Sequence, residues 1–116
     1  MIVAIQGTRG FNDYAVFLRA MGTALASIEE GDAEFTVYSA GPININKLGL
    51  EFCNVSERSL KARGIKVKFI KIPPSWLESN IKLIDYFAFF SKPKEPVSKL
   101  VDLADAKDIN VGVYRY

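Results

Sequence analysis

The chain has no histidine and a single cysteine, Cys53. The first absence removes Ser-His-Asp and Cys-His nucleophilic catalysis, together with every histidine-based zinc site. The second excludes an internal disulfide and leaves too few thiolates for a structural zinc site. Acid–base chemistry, if any, must draw on carboxylates, lysine or tyrosine. No apolar run approaches the roughly 20 residues of a membrane span. Behind Met1 stands only a four-residue apolar run, Ile2 to Ile5, without a basic leader. No signal peptide is therefore expected, and with one thiol a cytoplasmic location is the simple expectation.

What is present fits a globular protein. Of 116 residues, 49% are hydrophobic and 24% charged, and the formal net charge is +2. That length predicts one domain over residues 1–116, with no room for a second core. Apolar positions then set the elements. Ile2 to Ile5 reads as a buried strand. Asp13 to Glu30 reads as a helix, with Phe17, Leu18, Met21, Leu25 and Ile28 recurring at three- and four-residue steps. Asn12 or Asp13 suits its N-cap and Gly31-Asp32 its end. Glu34 to Ser39 reads as a second strand, then Ile43 to Arg63 as a helix whose first turn is weakened by Gly49. Ile65 to Ile72 is a third strand, Ser75 to about Ile84 a short helix, and Tyr86 to Phe90 a fourth strand. Val97, Leu100, Val101 and Ala104 line a last helix before a fifth strand, Ile109 to Tyr116.

Strict strand–helix alternation predicts an α/β fold: a Rossmann-like, three-layer α/β/α arrangement around a five-stranded parallel sheet. IVAI and YFAFF are continuously apolar, as central strands covered on both faces require. IKVKFIKI and INVGVYRY interrupt their apolar residues with polar ones and suit the edges, where lysines discourage further pairing. The predicted order is 3-2-1-4-5. Ligands in such sheets bind outside the carboxyl ends of the strands, at the switch point between the first and fourth.

At that point stands Gly7-Thr8-Arg9-Gly10. Glycines let backbone N–H groups approach an anion, Thr8 can donate a hydroxyl, and Arg9 can pair with phosphate in two-pronged fashion. The following helix would add the partial positive charge of its N-terminus. The run is neither a Walker loop nor a full G-x-G-x-x-G, and an ordinary strand-to-helix turn with a surface arginine is the plain alternative. The stretch GTRGFNDY, with Gly7, Thr8, Arg9, Phe11 and Asp13, resembles the opening motif of the SLOG superfamily. It is similar to the small YspA-like branch in particular. Trp76, Asn80 and Asp85 resemble that branch's later W…RN…D run. The resemblance implies a Rossmann-like nucleotide-binding fold. Relatives include the cytokinin-activating LOG proteins and the DprA-type DNA-processing proteins.

Other candidates share the same rim. Ser39 and Gly41, with Asn44 and Asn46, follow the second strand. The resemblance implies a glycine-rich element there, of which one glycine remains and the acidic residue is gone. The asparagine amides suit a ribose or base edge; helix-initial asparagines behind a Pro42 turn are the alternative. Ser91 to Pro96 follows the fourth strand, where LOG enzymes carry P-G-G-x-G-T-x-x-E. Its glycines and catalytic Glu are missing here; Lys92 and Lys94 offer point charges, and Glu95 is a poor substitute for the acid. Asn80 would turn its amide to the cleft, as the resemblance implies. Trp76 could stack on a base or simply pack, and Asp85 could simply open a strand.

Basic charge is concentrated in Arg58, Lys61, Arg63, Lys66, Lys68 and Lys71. With no interleaved aromatic series beyond Phe69, a solvated face is preferred to a nucleic-acid interface. The sequence thus points to binding of a nucleotide or nucleotide-derived small molecule by Gly7, Thr8, Arg9, Gly10, Ser39, Gly41, Asn44, Asn80 and Ser91. No catalysis, cofactor, metal or membrane is expected. Two rivals remain: a LOG-like hydrolase of an N-glycosidic bond, and a degenerate family member acting as a protein-interaction module. Phe87, Phe89, Phe90, Tyr114 and Tyr116 in so short a chain also suggest a homo-oligomer.

Overall fold

A computed structural model describes residues 1–115. Five strands form one all-parallel sheet: β1 (Ile2–Gly7), β2 (Glu34–Ser39), β3 (Lys66–Lys71), β4 (Tyr86–Ser91) and β5 (Asn110–Arg115). Their spatial order is 3-2-1-4-5, as the polarity of the strands predicts. β3 pairs only with β2 and β5 only with β4, so both polar-interrupted strands are edges. Tyr116, the last residue of the expected fifth strand, lies outside the described residues.

The helices α1 (Tyr14–Ala26) and α2 (Ile43–Ala62) cover one face. The helices α3 (Pro74–Ser79) and α4 (Lys99–Ala106) cover the other, with a single 3-10 turn at Ile81–Leu83. The strand pleat explains how one apolar run serves both layers. On β1, Val3 and Ile5 enter the α1/α2 core while Ala4 enters the α3/α4 core. On β4, Tyr86, Ala88 and Phe90 take the first side and Phe87 and Phe89 the second. Among the described residues no helix is long and apolar enough to cross a membrane.

Several boundaries depart from expectation, each for a local reason. α1 stops at Ala26, four residues early: the Asp32 carboxylate accepts from the Glu29 N–H at 2.9 Å and closes a turn that competes with the helix. The expected single helix after β3 breaks at Asn80, whose side-chain amide donates to the Trp76 carbonyl at 2.9 Å. Val97 precedes α4, which is capped by Ser98 accepting from the Leu100 N–H. Gly49 does not loosen α2, which runs unbroken from Ile43. It is where α2 presses onto the sheet: a Cβ there would stand 2.7 Å from both Ile5 Cδ1 and Phe69 Cε1.

Phe87, Phe89 and Phe90 are each at most 3% exposed, so these aromatics build the interior and offer no surface for association. Burial also pushes the Cys53 thiol up to about 12, which keeps it protonated and unreactive at neutral pH.

Candidate functional site

The carboxyl ends of β1, β2 and β4 bring the loops after Gly7, Ser39 and Ser91 to one rim. Phe11, fully buried, anchors the first loop by packing on Phe90 with ring centroids 5.1 Å apart. Asn44, in the first turn of α2, donates its side-chain amide to the Thr8 carbonyl at 3.0 Å and to the Phe11 carbonyl at 2.6 Å. The loop is thus held from both ends while Arg9, between them, is exposed.

Which groups remain for a ligand follows from which are already engaged. The Gly7 N–H donates to the Gly41 carbonyl at 3.2 Å, and the Thr8 N–H to the Phe90 carbonyl at 2.9 Å. The Thr8 hydroxyl, expected to face a ligand, instead donates to Glu95 Oε1 at 2.8 Å. The same oxygen accepts from the Lys92 N–H at 2.9 Å, so Glu95 ties the two loops together across the switch point. Gly7 serves packing: a Cβ there would stand 2.6 Å from Ile45 Cδ1 and 2.7 Å from the Phe90 carbonyl oxygen. Among the described residues, the N–H groups of Arg9 and Gly10 have no backbone partner and Arg9 pairs with no carboxylate.

The N-terminus of α1 is capped by one of the two residues expected there, and the cap limits what the helix end offers an anion. Asp13 caps α1, its carboxylate accepting from the Val16 N–H at 3.1 Å. A negative group therefore already occupies the positive end of the helix dipole. Positive charge at the rim comes instead from side chains. Lys92 lies across Gly10, where an added Cβ would stand 3.3 Å from Lys92 Cε and 3.5 Å from Nζ. Arg9, Pro42, Ile43 and Asn44 line an adjoining cleft of about 440 Å³. Two cavities of similar size lie at the other end of the sheet. One, of about 430 Å³, is bordered by Glu57, Lys61, Gly64 and Lys66, and the other, of about 370 Å³, by Met1, Asp32, Asp85 and Asn110. Neither is at the carboxyl rim, where open parallel sheets hold their ligands.

Other candidates are engaged within the protein. Ser39, 1% exposed, donates its hydroxyl to the Asn46 side-chain oxygen, which fixes α2 to β2. Gly41 has a φ of +84°, a left-handed conformation natural to glycine, and its carbonyl receives Gly7. Asn80 points its amide at its own helix and does not line the cleft. Trp76 packs on Tyr38 with ring centroids 4.7 Å apart. Asp85 is at the opposite end of the sheet, where its carboxylate accepts from the Ile2 N–H at 2.7 Å. In the basic run, Lys68 pairs with Glu34 at 3.0 Å and holds that carboxyl below its usual range.

Ser91 is different. Its hydroxyl is fully buried at the end of β4 and has no partner, and the side-chain oxygen of Gln6 on β1 is likewise buried without one. An unmet buried polar group of this kind costs about 1–3 kcal/mol. The sequence drew no attention to Gln6; its one signal is a polar residue closing an otherwise apolar central strand.

The geometry defines a Rossmann-like three-layer α/β protein whose carboxyl rim bears a cleft lined by Arg9, Pro42, Ile43 and Asn44. Comparison with protein-family models, curated proteins and solved structures finds no match.

Proposed function

We propose that the protein binds a phosphate-bearing small molecule, a nucleotide or a nucleotide derivative, at the carboxyl rim of β1 without chemically altering it. One observation carries the reading: Arg9, exposed and without an acidic partner among the described residues, and Lys92 flank Gly10 beside the cleft. The phosphate sits between the two cations and the Gly10 N–H. The apolar Pro42 and Ile43, with Asn44, receive the remainder of the ligand. The motif resemblance of Gly7, Thr8, Arg9, Phe11 and Asp13 supports the same ligand class.

Binding is favoured over glycosidic cleavage by the carboxylates of the rim. Cleavage needs an acid or base within reach of the scissile bond. The cleft lining contains none, and the Glu95 carboxylate is taken by Thr8 and by the Lys92 amide. The test is a thermal-shift panel of inorganic phosphate, nucleosides and ribonucleoside monophosphates, followed by chromatography of the mixtures. A ligand present at about 100 times its Kd raises stability by about 2.7 kcal/mol. The expected result is stabilisation by monophosphates but not by nucleosides, with no free base released. Stabilisation by neither contradicts binding; release of base at turnover rates favours the hydrolase.

A further inference from the structure

The two edges of the sheet are not alike. β3 carries Lys66, Lys68 and Lys71, and lysines on an edge strand discourage the addition of a further strand. β5 has no charged side chain before Arg115. Among the described residues it pairs only with β4. Every second residue of β5 therefore turns its N–H and C=O away from the sheet, with no strand to receive them. Val113, near the middle of the strand, is 41% exposed.

The charges at the two ends of β5 narrow what fits this edge. Arg115, exposed, stands at the carboxyl end. The amino end follows directly on the carboxyl end of α4, which is the negative end of the helix dipole. Exposed Asp105 and Asp108 add two negative charges there, against the single positive charge of Lys107. The Ile109 N–H donates to the Ala104 carbonyl at 3.0 Å, so this anionic end lies beside the first residues of β5. A strand with a cation at one end and an anionic group at the other complements its own reverse. A second copy of β5, running antiparallel, is that reverse.

The pleat fixes how the copies meet. Val111 and Val113 stand opposite Phe87 and Phe89 of β4 and share their α3/α4 side. With Gly112 opposite the partner's Gly112, the helical layers of both copies fall on matching sides. Val113 then covers the partner's Val111. Arg115 stands opposite the partner's Ile109, next to the partner's Asp108, where opposite charges across strands are favourable.

We propose that β5 is an interaction edge for a second copy of this chain, paired antiparallel across a two-fold axis to make one continuous sheet. The carboxyl rims then open at opposite ends of the dimer, so the inference is independent of any ligand at the rim.

Sedimentation velocity of wild type, Val113→Lys and Ile70→Lys tests it, with circular dichroism to confirm folding. A contact along one strand is at the weak end of specific interfaces, so wild type is expected as a dimer at about 100 μM and a monomer at about 1 μM. Val113→Lys should remain monomeric at about 100 μM. Ile70→Lys, on the exposed β3 edge, should dimerise as wild type does. Amide exchange of wild type at the two concentrations needs no variant: β5 should be slowed at the higher one and β3 unchanged. A wild type that is monomeric at about 100 μM overturns the proposal. So does a dimer whose β5 exchange is unchanged, or a folded Val113→Lys that dimerises like wild type. A ladder of growing species also overturns it, because β5 meeting β3 of the next copy gives an open-ended chain.

Discussion

A methyl group on Gly7 has nowhere to go: one neighbour is the Phe90 carbonyl, part of the sheet itself, and the other is the buried Ile45. On Gly10 the same methyl meets only the flexible Lys92 chain. Gly7→Ala is therefore expected to destabilise the protein by about 1–3 kcal/mol, the usual range for overpacking. Gly10→Ala is expected to change stability by less than about 0.5 kcal/mol. Urea denaturation of the two variants checks this, and equal midpoints would contradict the packing role of Gly7. In sequence both glycines read alike, as room for an anion. The difference lies in Ile45 and Phe90, contacts far along the chain that no local pattern displays. Ser39 teaches the same lesson. Its hydroxyl looked available at a strand end, but its partner Asn46 comes from the next helix.

At the level of elements, alternation of strands and helices was plain from the apolar periodicity, and so were the edges. β3 and β5 carry polar residues because one side of each lacks a strand to pair with. Helix ends were less legible. Asp32, Asn80 and Ser98 each redirect the backbone with a side-chain hydrogen bond whose partner depends on the turn that forms. The join between β1 and α2 depends on Asn44, which holds the carbonyls of Thr8 and Phe11. Asn44→Ala leaves both without that donor and is expected to cost about 1–3 kcal/mol. Amide exchange should quicken in Thr8–Asn12 while β2–β3 is unchanged. Unchanged exchange in that loop would show that Phe11 alone holds it.

For the molecule as a whole, the order 3-2-1-4-5 puts β1 at the centre and opens the rim between β1 and β4. The sequence located that rim because the topology rule depends only on element order. It named Arg9 and Lys92 as cations there, and counted the N-terminus of α1 as a further positive group without weighing the charge of its own cap. Asp13 takes the helix end, and the cations that remain are Arg9 and Lys92, from two loops brought together by the pairing of β1 with β4. Under the proposed function, Arg9 is the decisive residue. A charge-assisted hydrogen bond contributes about 1.5–3 kcal/mol, so Arg9→Ala should weaken binding of a ribonucleoside monophosphate about ten- to a hundredfold. Its melting temperature should match wild type, since Arg9 is exposed and pairs with no carboxylate among the described residues. Calorimetric titration of the same monophosphate into wild type and Arg9→Ala is the most direct measurement. Loss of affinity with the fold intact is the predicted result; equal affinities would mean that the loop after β1 is only a turn.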